Sequence, residues 1–262
     1  MEIENLSSTS SGHLIVFSAD PRYLADAEQL AAHLHISCTQ SMDTAKQADL
    51  MLRLDSDGLT LSDGSLELRG DFTKMLPRLK AANLQREFLV KASKLKGFQG
   101  TPTAVDATAG MGEDSLLLAA AGFRVTLYEY DPIIAALLRD TLRRAASHAE
   151  LAPIVGRMQL IEADSQAELP KLSVFPDIIV LDPMFPERRK SALIKKKFQL
   201  LQQLERPCSD EEQLLQAAMQ AHPRKIVIKR PLKGPFLAGI KPSHSLSGKA
   251  IRYDCIVLPP KA

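Results

Sequence analysis

The stretch TAVDATAGMGEDSLLLAAA, residues 103–121, decides the fold. It opens as a short apolar strand ending at Asp106, turns through Gly110 and Gly112, and runs on as an apolar helical segment. Glycines between a strand and a helix let the backbone bend tightly and approach a ligand closely. Downstream the same alternation repeats. Candidate strands at 103–107, 124–129, 157–162, 177–182 and 225–229 are separated by helical patterns at 112–121, 132–148, a short turn near 166–172, and 210–221. Strands as continuously apolar as DIIVLD (177–182) and KIVIK (225–229) need cover on both faces, which predicts a parallel, doubly wound sheet. The tail differs: 243–247 and 251–258 flank a turn at Gly248 with no helix between them, which predicts a terminal antiparallel hairpin added to that sheet.

Upstream the patterning is that of a small α+β domain, assigned to residues 1–71. HLIVFS (13–18) reads as a strand, and Asp20 with Pro21 supplies an N-cap and first-turn proline for a helix over 23–34. Short strands at 49–54, 59–61 and 65–68 are punctuated by Asp57-Gly58 and Asp63-Gly64 turns. Residues 72–100 change character. Lys74, Arg78, Lys80, Arg86, Lys91, Lys94 and Lys96 punctuate apolar positions, which predicts a basic linker of one or two amphipathic helices ending at the Gly97/Gly100/Pro102 break. The alternating α/β domain then occupies 101–262.

Composition narrows the function. With 45% hydrophobic and 24% charged residues, the 262-residue chain has the makings of a sizeable core. Aromatic residues are 5%, with no Trp, so a surface built mainly on stacking is not expected. A formal net charge of +2 means that nucleic-acid contact must come from local clusters and not from a global field. Cys38, Cys208 and Cys255 lie far apart, and the six histidines show no ligand spacing, so neither a metal site nor a disulfide framework is expected. The first residues lack a basic, apolar leader pattern and no apolar run is long enough to span a bilayer. The expected compartment is the cytoplasm.

Three motifs carry chemistry. The first is Asp106 to Asp114, with Gly110 and Gly112 inside it and Glu129 ending the next strand, where a carboxylate can accept both hydroxyls of an adenosine ribose. Alone, this pair serves a nicotinamide dinucleotide or S-adenosylmethionine equally. Glu113, Asp114 and Ser115 stand where a dinucleotide fingerprint carries its third glycine, and two carboxylates at a helix start repel a pyrophosphate but hold an ammonium. The same two side chains also suit a plain cap against the helix dipole. The second motif, Asp164-Ser165 after the third strand, can accept from an adenine amino group; it is also an ordinary helix N-cap. The third is Asp182-Pro183-Met184-Phe185-Pro186, at the carboxyl end of the fourth strand. An exocyclic amine on a base is a poor nucleophile because its lone pair is delocalised. A carboxylate and a free carbonyl accepting its two N–H bonds localise that pair toward a methyl group. Asp182 and the Pro183 carbonyl suit that task, and Phe185 offers a flat face for a flipped base. Arg188, Arg189, Lys190, Lys195, Lys196 and Lys197 follow, with Lys229 and Arg230 closing the fifth strand, where either can meet a phosphate or shape the pocket rim. A charge run is usually a solvated face; beside a base-binding loop it reads as phosphate contact.

Together the blocks DATAGMGEDS, LYEYDPIIAALLRDTL, DPMFPERRKSALIKKK and IVIKRP resemble the RsmJ family of bacterial 16S rRNA guanine-N2 methyltransferases, from about Val105 to the end of the chain. The resemblance implies a Rossmann-like class I methyltransferase sheet, S-adenosylmethionine as cofactor, and a guanine amine of small-subunit rRNA as acceptor. It also implies cofactor contacts at Glu113-Asp114, Glu129-Tyr130, Asp164-Ser165 and Asp182, beside those expected at Asp106, Gly110 and Gly112. An amino-methyltransferase acting on adenine or on a protein side chain shares the Asp-Pro-x-Phe chemistry. A catalytically silent RNA-binding module is the non-enzymatic reading of the same residues, and an NAD-dependent oxidoreductase stands further from them.

Overall fold

The computed structural model describes residues 13–183, 200 and 210–259. The chain forms two compact units that part between Arg69 and Gly70. In the first, β1 (Leu14–Phe17), α1 (Leu24–Leu34), β2 (Ser37–Thr39), α2 (Met42–Ala45), β3 (Leu50–Asp55), β4 (Gly58–Ser62) and β5 (Glu67–Leu68) build one sheet in the order β2-β1-β3-β4-β5. β1 pairs in parallel with β2 and β3; β3, β4 and β5 then meander antiparallel. Asp20 accepts from the Arg22 N–H ahead of α1, and His35 ends that helix in a left-handed conformation. β2 and α2 are too short and too polar to stand out in the sequence.

The second unit opens with a 3-10 turn and three short helices, α3 (Leu76–Leu79), α4 (Ala81–Leu84) and α5 (Phe88–Ala92), and then builds a seven-stranded sheet. Its strands are β6 (Thr103–Asp106), β7 (Arg124–Glu129), β8 (Met158–Glu162), β9 (Ile178–Leu181), β10 (Lys225–Pro231), β11 (His244–Ser247) and β12 (Ile251–Val257), ordered β11-β12-β10-β9-β6-β7-β8. β8, β7, β6, β9 and β10 are parallel; β12 enters antiparallel beside β10 and pairs with β11 in the expected hairpin. Helices α6 (Glu113–Ala120), α7 (Pro132–Ala146), α8 (Ala152–Val155), α9 (Ser165–Glu168) and α10 (Glu211–Gln220) link the strands. This is the Rossmann-like class I methyltransferase sheet.

Both faces of the central strands are buried, and their consecutive residues alternate between two cores. Ala104, Val125, Leu127, Ile178, Val180 and Val227 join the core under α5 to α8, while Val105, Tyr128, Ile179, Leu181, Ile226 and Ile228 join the core under α10. In β9 and over Ile226–Ile228 of β10 the strand period of two thus puts an apolar residue at each position, which is why these two read as continuous apolar runs.

The segment that carries α3 to α5 differs from the one or two longer helices its sequence predicts. Lys80 and Glu87 adopt extended backbone angles and break the run. Phe72, Met75, Leu84, Leu89, Val90 and Ala92 belong to the core under α6. Lys225 on β10 fixes the end of the segment by donating to the carbonyls of Ala92 and Lys94 at 2.9 and 2.7 Å.

Candidate active site

Leaving β6, the chain winds outward through β7 and β8 and then returns to β9 on the other side of β6. The carboxyl ends of β6 and β9 therefore border the crevice in which open α/β sheets bind ligands. Asp106, Glu129 and Asp182 stand at the ends of β6, β7 and β9, with Lys229 near the end of β10.

The loop after β6 is shaped from beneath and from the side. Asp106 is 2% exposed; its carboxylate accepts from the Ser115 hydroxyl at 2.6 Å and the Thr108 N–H at 3.2 Å. Burial pushes its carboxyl up to about 7, against the pull of the Ser115 hydrogen bond. The sequence places Asp106 among the cofactor contacts; in the structure it is buried and braces its own loop. Gly110 and Gly112 both have positive φ, and a Cβ on Gly112 would lie 2.7 Å from Leu138 Cδ1 and 3.3 Å from Phe72 Cζ. Glu129 holds the loop laterally, one oxygen accepting from Gly110 N–H at 2.8 Å and the other from Asp131 N–H at 2.9 Å. Burial raises the Glu129 carboxyl, and these backbone bonds act in the opposite direction. Each oxygen retains a lone pair for a further donor.

The glycine loop and the Asp-Pro loop are tied together twice. The Asp182 N–H donates to Thr108 Oγ1 at 2.7 Å. The Lys229 ammonium lies 2.8 Å from a carboxylate oxygen of Asp114, at the start of α6, and 2.8 Å from one of Asp182. Burial raises the Asp182 carboxyl, with Lys229 pulling it down and Asp114 pushing it up. For Lys229, burial favours the neutral amine, but the two carboxylates outweigh it and the group is held above its ordinary value. The sequence reading has Lys229 and Arg230 either meeting a phosphate or shaping the pocket rim. In the structure Lys229 is turned inward to two carboxylates. Arg230 is 1% exposed, donating to the Pro235 carbonyl at 2.9 Å and to Glu211 at 3.3 Å. Strand periodicity could have revealed this, because Lys225, Val227 and Lys229 share one covered face and Ile226, Ile228 and Arg230 the other.

The remaining expected residues fall on the same edge with different exposure. Glu113 opens α6 and is exposed, and Tyr130 after β7 is 59% exposed. Asp164 caps α9 by accepting from Gln166 N–H at 2.9 Å, and Ser165 is buried. Pro183 is buried behind Asp182. Phe185, Arg188, Arg189, Lys190, Lys195, Lys196 and Lys197 lie outside the described residues. Sequence reasoning missed Thr108 and Ser115, two hydroxyls that lock the loop. Ser115 had a signal, as the one polar residue facing into an otherwise apolar helical run.

What the arrangement can hold follows from its charge. Among the described residues, Asp114 and Asp182 face Lys229 at the crevice, Glu129 stands at the end of the neighbouring strand, and Arg78 on α3 is paired with Glu87. A surplus of carboxylate in a half-buried crevice favours a cation and disfavours a pyrophosphate. The donor set fits S-adenosylmethionine, whose sulfonium and ammonium are both positive. Among the described residues no group of three or more His, Cys, Asp or Glu is placed to hold a metal, and no helix is long and apolar enough to cross a membrane.

Comparison with known proteins agrees with this geometry. Residues 35–258 match the family described as "Putative SAM-dependent methyltransferase". A protein named ribosomal RNA small subunit methyltransferase J from Thioalkalivibrio sulfidiphilus is 40% identical over 240 residues, covering 88% of this chain and 92% of that one. One of the same name from Pseudomonas fluorescens is 37% identical over 250 residues, covering 92% and 93%. The crystal structure of a SAM-dependent methyltransferase from Neisseria gonorrhoeae superposes with a TM-score of 0.73 at 28% identity, over 93% of this chain and 95% of that one.

Proposed function

Because the chain belongs to the ribosomal RNA small subunit methyltransferase J family of S-adenosylmethionine-dependent methyltransferases, we propose that it methylates the exocyclic N2 amine of a guanine in 16S rRNA of the small ribosomal subunit, in the cytoplasm. The observation that carries this reading is the coupling of the Asp182-Pro183 loop to the glycine loop through Thr108 and Lys229. An acceptor for an amine is thereby fixed against the loop that would hold the methyl donor. Most of the rate should come from that in-line placement.

Within this reading Gly110 and Gly112 let the backbone lie against the cofactor, Glu129 accepts from the ribose hydroxyls, and Asp164 faces the adenine amine. Glu113, Tyr130 and Ser165 line the same edge. Bound there, S-adenosylmethionine supplies a methyl group already activated on a sulfonium. Asp182 and the Pro183 carbonyl accept the two N–H bonds of the guanine amine and direct its lone pair at that methyl, while Phe185 stacks on the base. With the methyl group moved onto N2 and the S–C electron pair left on sulfur, the surplus proton of the amine would pass to the Asp182 carboxylate. A carboxyl raised by burial suits that step. Arg188, Arg189, Lys190, Lys195, Lys196 and Lys197 contact phosphates beside the loop.

The test is incubation with tritiated S-adenosylmethionine and small subunits lacking their modifications, followed by nucleoside analysis. Label in N2-methylguanosine is expected. Label in an adenine derivative or in protein would move the acceptor, and RNA binding without cofactor binding would reduce the chain to an RNA-binding module.

A further inference from the structure

Two stretches of the chain carry cations almost without acids. Glu87 is the one acidic residue between positions 72 and 105, and 213–253 has none, although the whole chain has a net charge of only +2. The fold lays these stretches side by side. α5 packs against β11 and β12, and a Cβ on Gly248 in the hairpin turn would lie 3.5 Å from the Phe88 ring. The Lys91 ammonium sits 5.2 Å from the centre of that ring. Because β12 runs antiparallel to β10, with Ile251 opposite Pro231, the Gly248–Lys249 turn projects from the edge of the sheet that carries Asp182. Phe88, Lys91 and Lys249 are exposed, and the neighbouring Glu87 is taken up by Arg78 at 2.8 and 2.9 Å.

We propose that Phe88, Lys91 and Lys249 form a docking surface for the rRNA strand, with the Phe88 ring stacked on an unpaired base and the two ammonium groups on phosphates. It rests on the rRNA-methyltransferase reading and adds a contact surface contributed by α5 and the hairpin, apart from the Asp-Pro loop. An aromatic face beside cations, on stretches whose one acid is already paired, suits a single strand: every base has a π-face to stack, and the backbone is anionic. An acidic protein partner would use the lysines and leave the ring idle.

The test compares wild type, Phe88→Ala, Lys91→Ala/Lys249→Ala and the charge-preserving Lys91→Arg/Lys249→Arg. The readouts are affinity for small-subunit rRNA across a salt series, S-adenosylmethionine affinity by calorimetry, and methyl transfer. Removing both lysines should flatten the log–log salt slope by about 1.4, at roughly 0.7 per phosphate on a single strand. The arginine pair should restore it. Phe88→Ala should weaken RNA binding about tenfold, as loss of one stacked base does, with the slope unchanged. KM for RNA should rise in both, with kcat and cofactor affinity within about twofold of wild type. An unchanged slope together with unchanged Phe88→Ala affinity overturns the proposal. A flattened slope with a silent Phe88→Ala overturns it too, in favour of a merely electrostatic face. If wild type labels no RNA, the functional reading fails; if wild type labels RNA and the variants bind like it, only this inference fails.

Discussion

Replacing Lys229 with Met removes a cation that bridges two carboxylates. With an oxygen of Asp114 and one of Asp182 each 2.8 Å from Nζ, the two oxygens are at most twice that apart, about 5.6 Å. Their mutual repulsion is there with or without Lys229; the substitution removes the attraction that offsets it, which at 2.8 Å and an effective dielectric of about 40, suited to a partly exposed pair, is about 3 kcal/mol. Since one pKa unit corresponds to about 1.4 kcal/mol, the pair should retain a proton to roughly 2 pH units higher than with Lys229 in place. A protonated Asp182 has lost an acceptor for the amine. The acid limb of kcat/KM, which reports groups of the free enzyme, should therefore move up by roughly 2 pH units. Methyl transfer from tritiated S-adenosylmethionine across a pH series of about 5–9 reads this directly. Where turnover is too slow to profile, a 13C-carboxyl titration of aspartate-labelled protein gives the same quantity. Lys229→Arg keeps the charge and should return the limb most of the way. An acid limb at its wild-type position in Lys229→Met, with the fold intact, would refute the coupling.

Four further outcomes follow. Asp106, pushed up to about 7 by burial, must ionise to favour a bound cation, so S-adenosylmethionine affinity should rise about tenfold from about pH 6 to pH 8; calorimetry in buffers of differing ionisation heat should show proton release, and Asp106→Asn should flatten the curve. The same group binds its proton more tightly folded than unfolded, so its contribution to stability falls as pH rises from about 4 to 7, and thermal melts of the Asn variant should lose that slope. Gly112→Ala places a Cβ 2.7 Å from Leu138 Cδ1 at positive φ, whereas Gly64→Ala meets nothing within 4 Å; urea unfolding should cost about 1–2 kcal/mol for strain alone at Gly64 and about 1–3 kcal/mol more at Gly112, and equal losses would show that the contact yields freely. Glu129→Gln keeps the shape but turns one acceptor of a backbone N–H into a donor; cofactor affinity should drop about tenfold or more, and an unchanged Kd would remove Glu129 from the site.

Much of the second unit is legible in the sequence because its strands satisfy a simple rule: covered on both faces, they cannot afford polar interruptions. DIIVL and KIVI are readable for that reason, and the hairpin at Gly248 because no helical pattern separates its arms. Other features are illegible for equally physical reasons. β2 and α8 are single short turns of chain whose place is set by packing, not propensity. The helices between 76 and 92 are broken where Lys80 and Glu87 become extended, and nothing in their residue types announces it. In the site, glycines and strand-end acids can be seen from type and position. The bonds Ser115–Asp106 and Asp182–Thr108 cannot, since they join residues 9 and 74 positions apart. A general expectation that basic residues are exposed puts Lys229 and Arg230 on the surface; alternation along β10 is the better guide, and the sequence holds it.

The inward lysine changes what the acids mean. Read as a sequence, Glu113 and Asp114 are two equivalent carboxylates at a helix start, each suited to capping the helix or to holding an ammonium. In the structure they separate: Glu113 is exposed, while Asp114 is bound to Lys229 and through it to Asp182. The helix that follows the glycine loop and the loop expected to grip the acceptor therefore share one half-buried ion. Breaking that ion pair leaves uncompensated charge in a half-buried place, at a cost that solvent screening holds below the about 3–5 kcal/mol of a fully buried pair, so the two loops are held in one geometry before any ligand arrives. A methyl transfer that draws its rate from alignment needs this of its protein more than it needs an acid or a base.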